Sequence, residues 1–141
     1  MNVFVAGASG AIGRPLVAEL IRRGHAVTGM TRSDAGATAL ASLGAAVARV
    51  SAFDAPGLER AVRESKAEVV IDELTALPRS PADMAAAAEG DRRLRLEGGG
   101  NLLAAARRLG ARRYLQQSSG FFLRPGPARP RARGRVRGVA V

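Results

Sequence analysis

Five short apolar runs recur along the chain, and each is separated from the next by a stretch of helical periodicity. Asn2–Ala6, Ala26–Met30, Ala46–Val50, Glu68–Asp72 and Arg112–Gln117 read as strands. Helices are expected over Ala11–Arg23, with Ile12, Leu16, Leu20 and Ile21 on one stripe, and over Ala35–Leu43. A third is expected over Ala55–Ser65, capped by Asp54 with Pro56 in its first turn, and a long one within Met84–Leu109. Strands alternating with helices form βαβ units on a parallel sheet. Right-handed crossovers then favour a doubly wound α/β sheet with strand order 3-2-1-4-5, truncated after the fifth strand. One stretch disagrees with this pattern. Gly98-Gly99-Gly100 lies inside the long helix, where each glycine costs ~1 kcal/mol relative to alanine. It points to a break or to a close helix–sheet contact.

Gly7-Ala8-Ser9-Gly10-Ala11-Ile12-Gly13 follows the first strand and opens the first helix. In that setting Gly7 permits a tight turn, Gly10 lets backbone approach a pyrophosphate, and Gly13 lets helix pack close to strand. Exposed N–H groups and the helix dipole then face the anion. The bland alternative is an ordinary glycine-rich turn, but strand, spacing and helix together favour a nucleotide.

The glycine spacing, G-x-x-G-x-x-G, resembles that of the extended and atypical short-chain dehydrogenase/reductases, the epimerase/dehydratase group. Three further stretches carry the same resemblance: Val69–Ala76 as the fourth strand and its turn, Glu97–Ala106 as the helix with the Asn-Leu-Leu pattern, and Tyr114–Ser119 as the fifth strand. The resemblance covers residues 1–122 and implies an incomplete Rossmann domain that binds a nicotinamide dinucleotide. Phosphate contacts are then implied for Gly7, Ser9, Gly10, Ala11, Ile12 and Gly13.

An acid at the end of the second strand of such domains holds the ribose of NAD, whereas an arginine there accepts the 2′-phosphate of NADP. Here Arg32 stands at that point and no acid precedes Asp34. A planar guanidinium suits phosphate, so NADP(H) is favoured over NAD(H). Asp34 keeps NAD possible, although capping of the next helix is its more ordinary role. The resemblance puts Ser51 where the family often carries an adenine-binding acid, reads Asp54 as a helix cap, and passes Leu74, Thr75 and Ala76 near the adenosine ribose.

For catalysis the resemblance implies Ser119, with Ser118 as the alternative, and a Tyr-x-x-x-Lys pair. No such pair occurs. Tyr114, the only tyrosine, is on the fifth strand, Lys66 is far upstream, and Arg95 replaces the family's helix asparagine. The expected product is inactive alone. Residues 123–141 hold six of the 22 basic residues and no acid, and they lack any amphipathic period. Disorder is expected there. The tail could be a basic arm, a solvated extension, or GC-rich DNA read out of frame. The abrupt loss of pattern favours the last and leaves the fifth strand as an aggregation-prone edge exposing Tyr114 and Leu115.

Composition narrows the rest. There is no cysteine and only one histidine, His25, which excludes disulfides and argues against a metal site. No apolar run approaches the ~18 residues of a membrane span, and no basic apolar leader opens the chain, so the cytoplasm is expected. The net charge of +10 raises nucleic-acid binding, but the excess is concentrated in the tail. Three functions remain: an NADP-binding fragment of an epimerase/dehydratase-like oxidoreductase, a non-enzymatic NADP-sensing regulator, or nucleic-acid binding through the basic tail. A homo-oligomer or partner subunit is possible, and the substrate is not legible.

Overall fold

The computed structural model describes residues 1–78 and 80–118; Ser119 and the expected tail lie outside these. Strands β1 (Asn2–Ala6), β2 (Ala26–Thr31), β3 (Ala46–Arg49), β4 (Val69–Asp72) and β5 (Arg113–Gln116) form one sheet. All four strand pairings are parallel, and the order is β3-β2-β1-β4-β5, as the alternation predicts. The intervening helices are α1 (Gly13–Arg22), α2 (Asp34–Ser42), α3 (Ala55–Glu64), α4 (Met84–Arg93) and α5 (Gly99–Leu109). Among the described residues, no helix is long and apolar enough to cross a membrane.

The pleat of β1 divides the core. Val3 and Val5 point to one side, with Val17 of α1 and Leu40 of α2. Phe4 and Ala6 point to the other, with Leu58 and Val62 of α3 and Leu102 of α5. Every residue of β1 from Phe4 to Ala6 is inaccessible to solvent, as a central parallel strand covered on both faces requires. Each large apolar side chain buried this way contributes about 1.5–3 kcal/mol.

Three local expectations need correction. The first helix begins at Gly13, and Ile12 is 52% exposed because Ala11 and Ile12 still belong to the turn. Asp34 does not cap α2; the Ser33 hydroxyl accepts from Gly36 N at 3.0 Å, and Asp34 is the first helical residue. The fifth strand is a sheet edge, as expected, but Tyr114 is not exposed on it: its side chain is 7% exposed and covered by α5.

The glycine triplet resolves into a close contact together with a change of helical pitch. Leu94–Gly98 forms a single π-helical turn between α4 and α5. A Cβ on Gly98 would lie 2.9 Å from Ala52 Cβ, and one on Gly99 would lie 3.1 Å from Asp72 Oδ2. The third glycine faces open space. Two of the three therefore offset their helix cost by letting α5 approach the sheet.

Asp72 is the buried polar residue at that approach. In the β4–β5 register Asp72 is level with Gln116 and Val70 with Tyr114, so Tyr114 is the same-face diagonal neighbour of Asp72. Its hydroxyl donates to Asp72 Oδ2 at 2.8 Å and also lies 3.3 Å from Gly99 O, while Leu74 N donates to Asp72 Oδ1 at 2.9 Å. Burial pushes the Asp72 carboxyl above its usual range, against the opposing pull of Leu74 N–H, the Tyr114 hydroxyl and Arg95.

Tyr114→Phe should keep the ring packing and leave Asp72 Oδ2 without its donor, costing about 1–3 kcal/mol in urea unfolding; no measurable loss would contradict the pair. The same site sets a pH dependence. Below about pH 4 both folded and unfolded chains hold the Asp72 proton. Above that the unfolded chain releases it first, because the folded value is raised, so Asp72 draws stability away from the fold as pH rises toward that value. Asp72→Asn cannot ionise, so its stability relative to wild type should increase over the same window. A difference that does not change with pH would contradict a buried, proton-retaining carboxyl.

Candidate functional site

A cleft of about 350 Å³ opens along the ends of β1, β2, β3 and β4. It lies at the carboxyl edge of the sheet, where open α/β folds place ligands, and its volume falls within the range of small-molecule sites. It begins at the turn after β1. Gly7 has φ +73°, and a Cβ there would lie 2.4 Å from Glu73 O. A Cβ on Gly13 would lie 2.2 Å from Gly7 O, so α1 reaches the turn after β1 only because Gly13 lacks one, while the bare Gly7 lets the turn meet the end of β4. Gly10 differs. A Cβ there would meet only Gly7 O, at 3.1 Å, so the space beyond it is open.

Hydroxyl bonds tie the loop to the end of β2. Ser9 Oγ lies 3.1 Å from Thr31 Oγ1, and Thr31 is 5% exposed. Gly36 packs against both, since its Cβ would meet Thr31 Oγ1 at 2.3 Å and Ser9 Cβ at 3.0 Å. This leaves Arg32 exposed on the rim of the cleft, in no ion pair among the described residues. Asp34, the acid that could have competed, does not line the cleft; it pairs with Arg49 Nη1 at 2.5 Å.

The far wall follows β3. Ser51 accepts from Phe53 N at 3.2 Å, and Asp54 caps α3 through Gly57 N at 3.0 Å, as expected. Asn101 of α5 donates to Ala52 O at 3.0 Å and holds this turn in place. Ala52, Phe53, Met30, Leu74 and Leu94 supply the apolar lining, and the Arg93 guanidinium covers the Phe53 ring at 4.7 Å. The π-helical turn matters here because Leu94 is its first residue.

The structure brings Gly7, Ser9, Gly10, Arg32, Ser51, Leu74 and Thr75 into one cleft. Ala11, Ile12, Gly13 and Ala76 do not line it: Ala11 and Ile12 complete the turn, Gly13 opens α1, and Ala76 N donates to Asp91 Oδ1 at 2.6 Å. Asp91 also accepts from Arg95 at 2.7 Å, so Arg95 pins the loop after β4. Ser118 is exposed just beyond β5. Sequence reasoning missed Thr31, Phe53, Glu73 and Leu94. Phe53 stands between Ser51 and Asp54, and Glu73 lies within the Val69–Ala76 stretch without a role of its own there, whereas Leu94 depends on the π-helical turn.

Among the described residues, Glu73 is the only acid lining the cleft. Its Oε2 is buried without a hydrogen-bond partner, and burial, reinforced by Asp72, pushes its carboxyl up. Tyr114 is not a cleft residue. Burial, then the Asp72 carboxylate, raises its phenol far above the usual range. Lys66 precedes β4 at the opposite, amino edge of the sheet.

Comparison with known proteins agrees with this geometry. The sequence pattern of the NAD(P)H-binding family matches residues 7–137. The 3-diazoavenalumate denitrifying reductase of a Streptomyces species is 42% identical over 125 residues, which is 89% of this chain and 40% of the reductase. The Thermus thermophilus UDP-glucose 4-epimerase, solved in complex with NAD, superposes with a TM-score of 0.70 at 31% identity, covering 81% of this chain and 36% of the epimerase. A short-chain dehydrogenase/reductase superfamily protein from Agrobacterium tumefaciens, solved with bound NAD, gives 0.65 at 28% identity, over 84% of this chain and 32% of that one. The chain thus spans about two fifths of the curated reductase it matches. With its glycine turn, parallel sheet and carboxyl-edge cleft, the chain belongs to the NAD(P)H-binding family of Rossmann proteins, alongside the epimerase and short-chain dehydrogenase/reductase types.

Proposed function

We propose that this chain binds NADP(H) in the cleft and forms the nucleotide-binding part of a reductase. The observation that carries the choice of NADP is the pairing at the end of β2: Arg32 is exposed on the cleft, while Asp34 is turned away onto Arg49. The cofactor fits the residues present. Gly7, Ser9 and Gly10 would hold the pyrophosphate over the open face of Gly10, with Ala11, Ile12 and Gly13 supplying the helix end behind them. Arg32 would hold the 2′-phosphate. Ser51, Ala52, Phe53, Leu74 and Thr75 would surround the adenosine, and Ala76 would anchor their loop. When bound, the nicotinamide supplies the hydride of a reduction.

The chain's own residues bind and orient, and among the described ones no tyrosine–lysine pair reaches the cleft. Tyr114 is sealed against Asp72, and Lys66 lies at the other edge of the sheet. The 42% identity to a reductase supports the class of reaction, and that relative's own substrate is not carried over.

Calorimetric titration tests the assignment. NADPH should bind more tightly than NADH, and Arg32→Ala should weaken NADPH by roughly 10- to 150-fold, the value of a hydrogen bond to a charged group, with little effect on NADH. Gly10→Val, which fills the open space over the turn, should abolish binding of both. A preference for NADH, or an Arg32→Ala variant that binds like wild type, would refute the NADP reading. Absorbance at the nicotinamide band should show no enzyme-dependent NADPH consumption by the chain alone with aldehyde, ketone or diazo substrates. Turnover lost in Ser118→Ala or Ser119→Ala would overturn the view of a binding part without its own acid/base group.

A further inference from the structure

We propose that Glu73 receives a hydroxyl of the cofactor's second ribose, the one that carries the nicotinamide. The inference rests on the cofactor reading above. Three observations lead to it. Glu73 follows β4 directly and is bonded to the central strand through Glu73 N to Ala6 O at 3.1 Å. A Cβ on Gly7 would lie 3.3 Å from Glu73 Cβ, so the side chain starts beside the phosphate turn. Glu73 lines the same cleft as Gly7, Ser9 and Gly10, yet its Oε2 is buried with no donor among the described residues.

Such an atom calls for a partner, because a buried acceptor left unmade costs stability. Among the described residues, the arginines of the π-helical turn and its approach are engaged elsewhere: Arg95 with Asp91, and Arg93 with Glu97 and the Phe53 ring. Arg32 follows β2, two strands away from β4 in the sheet order. The partner therefore comes from the ligand, and it must be a neutral donor, since a carboxylate repels phosphate.

Sheet order tells which donor. Adjacent strands are about 4.8 Å apart. Arg32 after β2 marks the first ribose with its 2′-phosphate, and the glycine turn after β1 marks the pyrophosphate. The next strand, β4, lies on the far side of β1. The group reached there by Glu73, which starts beside the Gly7 turn, is the one beyond the pyrophosphate, the second ribose with its two hydroxyls; Leu74, which meets Gly98 together with Ala52, turns back toward the adenosine.

The test uses the full chain and three ligands: NADPH, 2′-phospho-ADP-ribose, which keeps the second ribose without nicotinamide, and adenosine 2′,5′-bisphosphate, which lacks both. Glu73→Met matches the side chain's length but is at best a weak acceptor, and Glu73→Gln keeps one carbonyl oxygen. Glu73→Met should weaken the first two ligands about tenfold or more and leave the bisphosphate unchanged. Glu73→Gln should stay within a few-fold of wild type for all three. Unchanged NADPH affinity, equal loss of all three ligands, or loss of NADPH alone (which would place the carboxamide there) overturns the proposal. If wild-type protein binds none of the three, the cofactor reading itself falls. If wild type binds all three and the Met variant does too, only the role of Glu73 falls.

Discussion

The contact on which the site depends is the approach of α1 to β1. Gly13 has no room for a Cβ because Gly7 O occupies the space, and Gly7 has none because Glu73 O does. These two close approaches bring three elements, β1, α1 and the end of β4, to one point. The amino end of α1 is thereby held at the mouth of the cleft, where its dipole and free N–H groups favour an anion. A single methyl at Gly13 would force the helix off the turn, and one at Gly7 would push the end of β4 away from it; either would dissolve the geometry that the other cleft residues use.

From that point the site is assembled by polar ties more than by apolar packing. Ser9 to Thr31 fixes the loop to β2, and the Ser33 cap sets where α2 begins, which leaves Arg32 on the rim. Asn101 to Ala52 O fixes the turn after β3, and Asp91 with Arg95 fixes the loop after β4. Behind the cleft, Asp72, Tyr114 and Gly99 form a satisfied polar cluster where α5 meets the sheet. Fully satisfied networks of this kind specify one packing over others, at the cost of desolvating a carboxyl.

Much of this was legible in the chain itself. The alternation of apolar runs and helices gave the strand order, because parallel crossovers leave few topologies open, and the glycine spacing after β1 gave the turn. Arg32 and Ser51 could be found because they sit at strand ends, where the fold directs residues into the cleft. The parts that escaped depend on registers that no local pattern encodes. Tyr114 reads as an edge residue until the β4–β5 register sets it diagonal to Asp72, and Asp72 reads as a strand terminus until α5 descends on it. Gly98-Gly99-Gly100 reads as a weak helix, and only the positions of Ala52 and Asp72 reveal why two of those residues have no side chain. Ile12 was misplaced because apolar periodicity does not show where a turn ends and a helix starts.

The central claim is that one cleft, built around Gly7 and Gly13, holds the dinucleotide. Titrating isotopically labelled chain with NADPH and following its backbone amide resonances tests this most directly. Shifts should concentrate in four separate stretches, residues 7–13, 31–33, 51–53 and 73–75, and move in concert at one affinity. Shifts confined to the groove between β3 and α3, around Val47 to Arg49 and Arg60 to Glu64, or to the arginine-rich residues beyond 123, would contradict it.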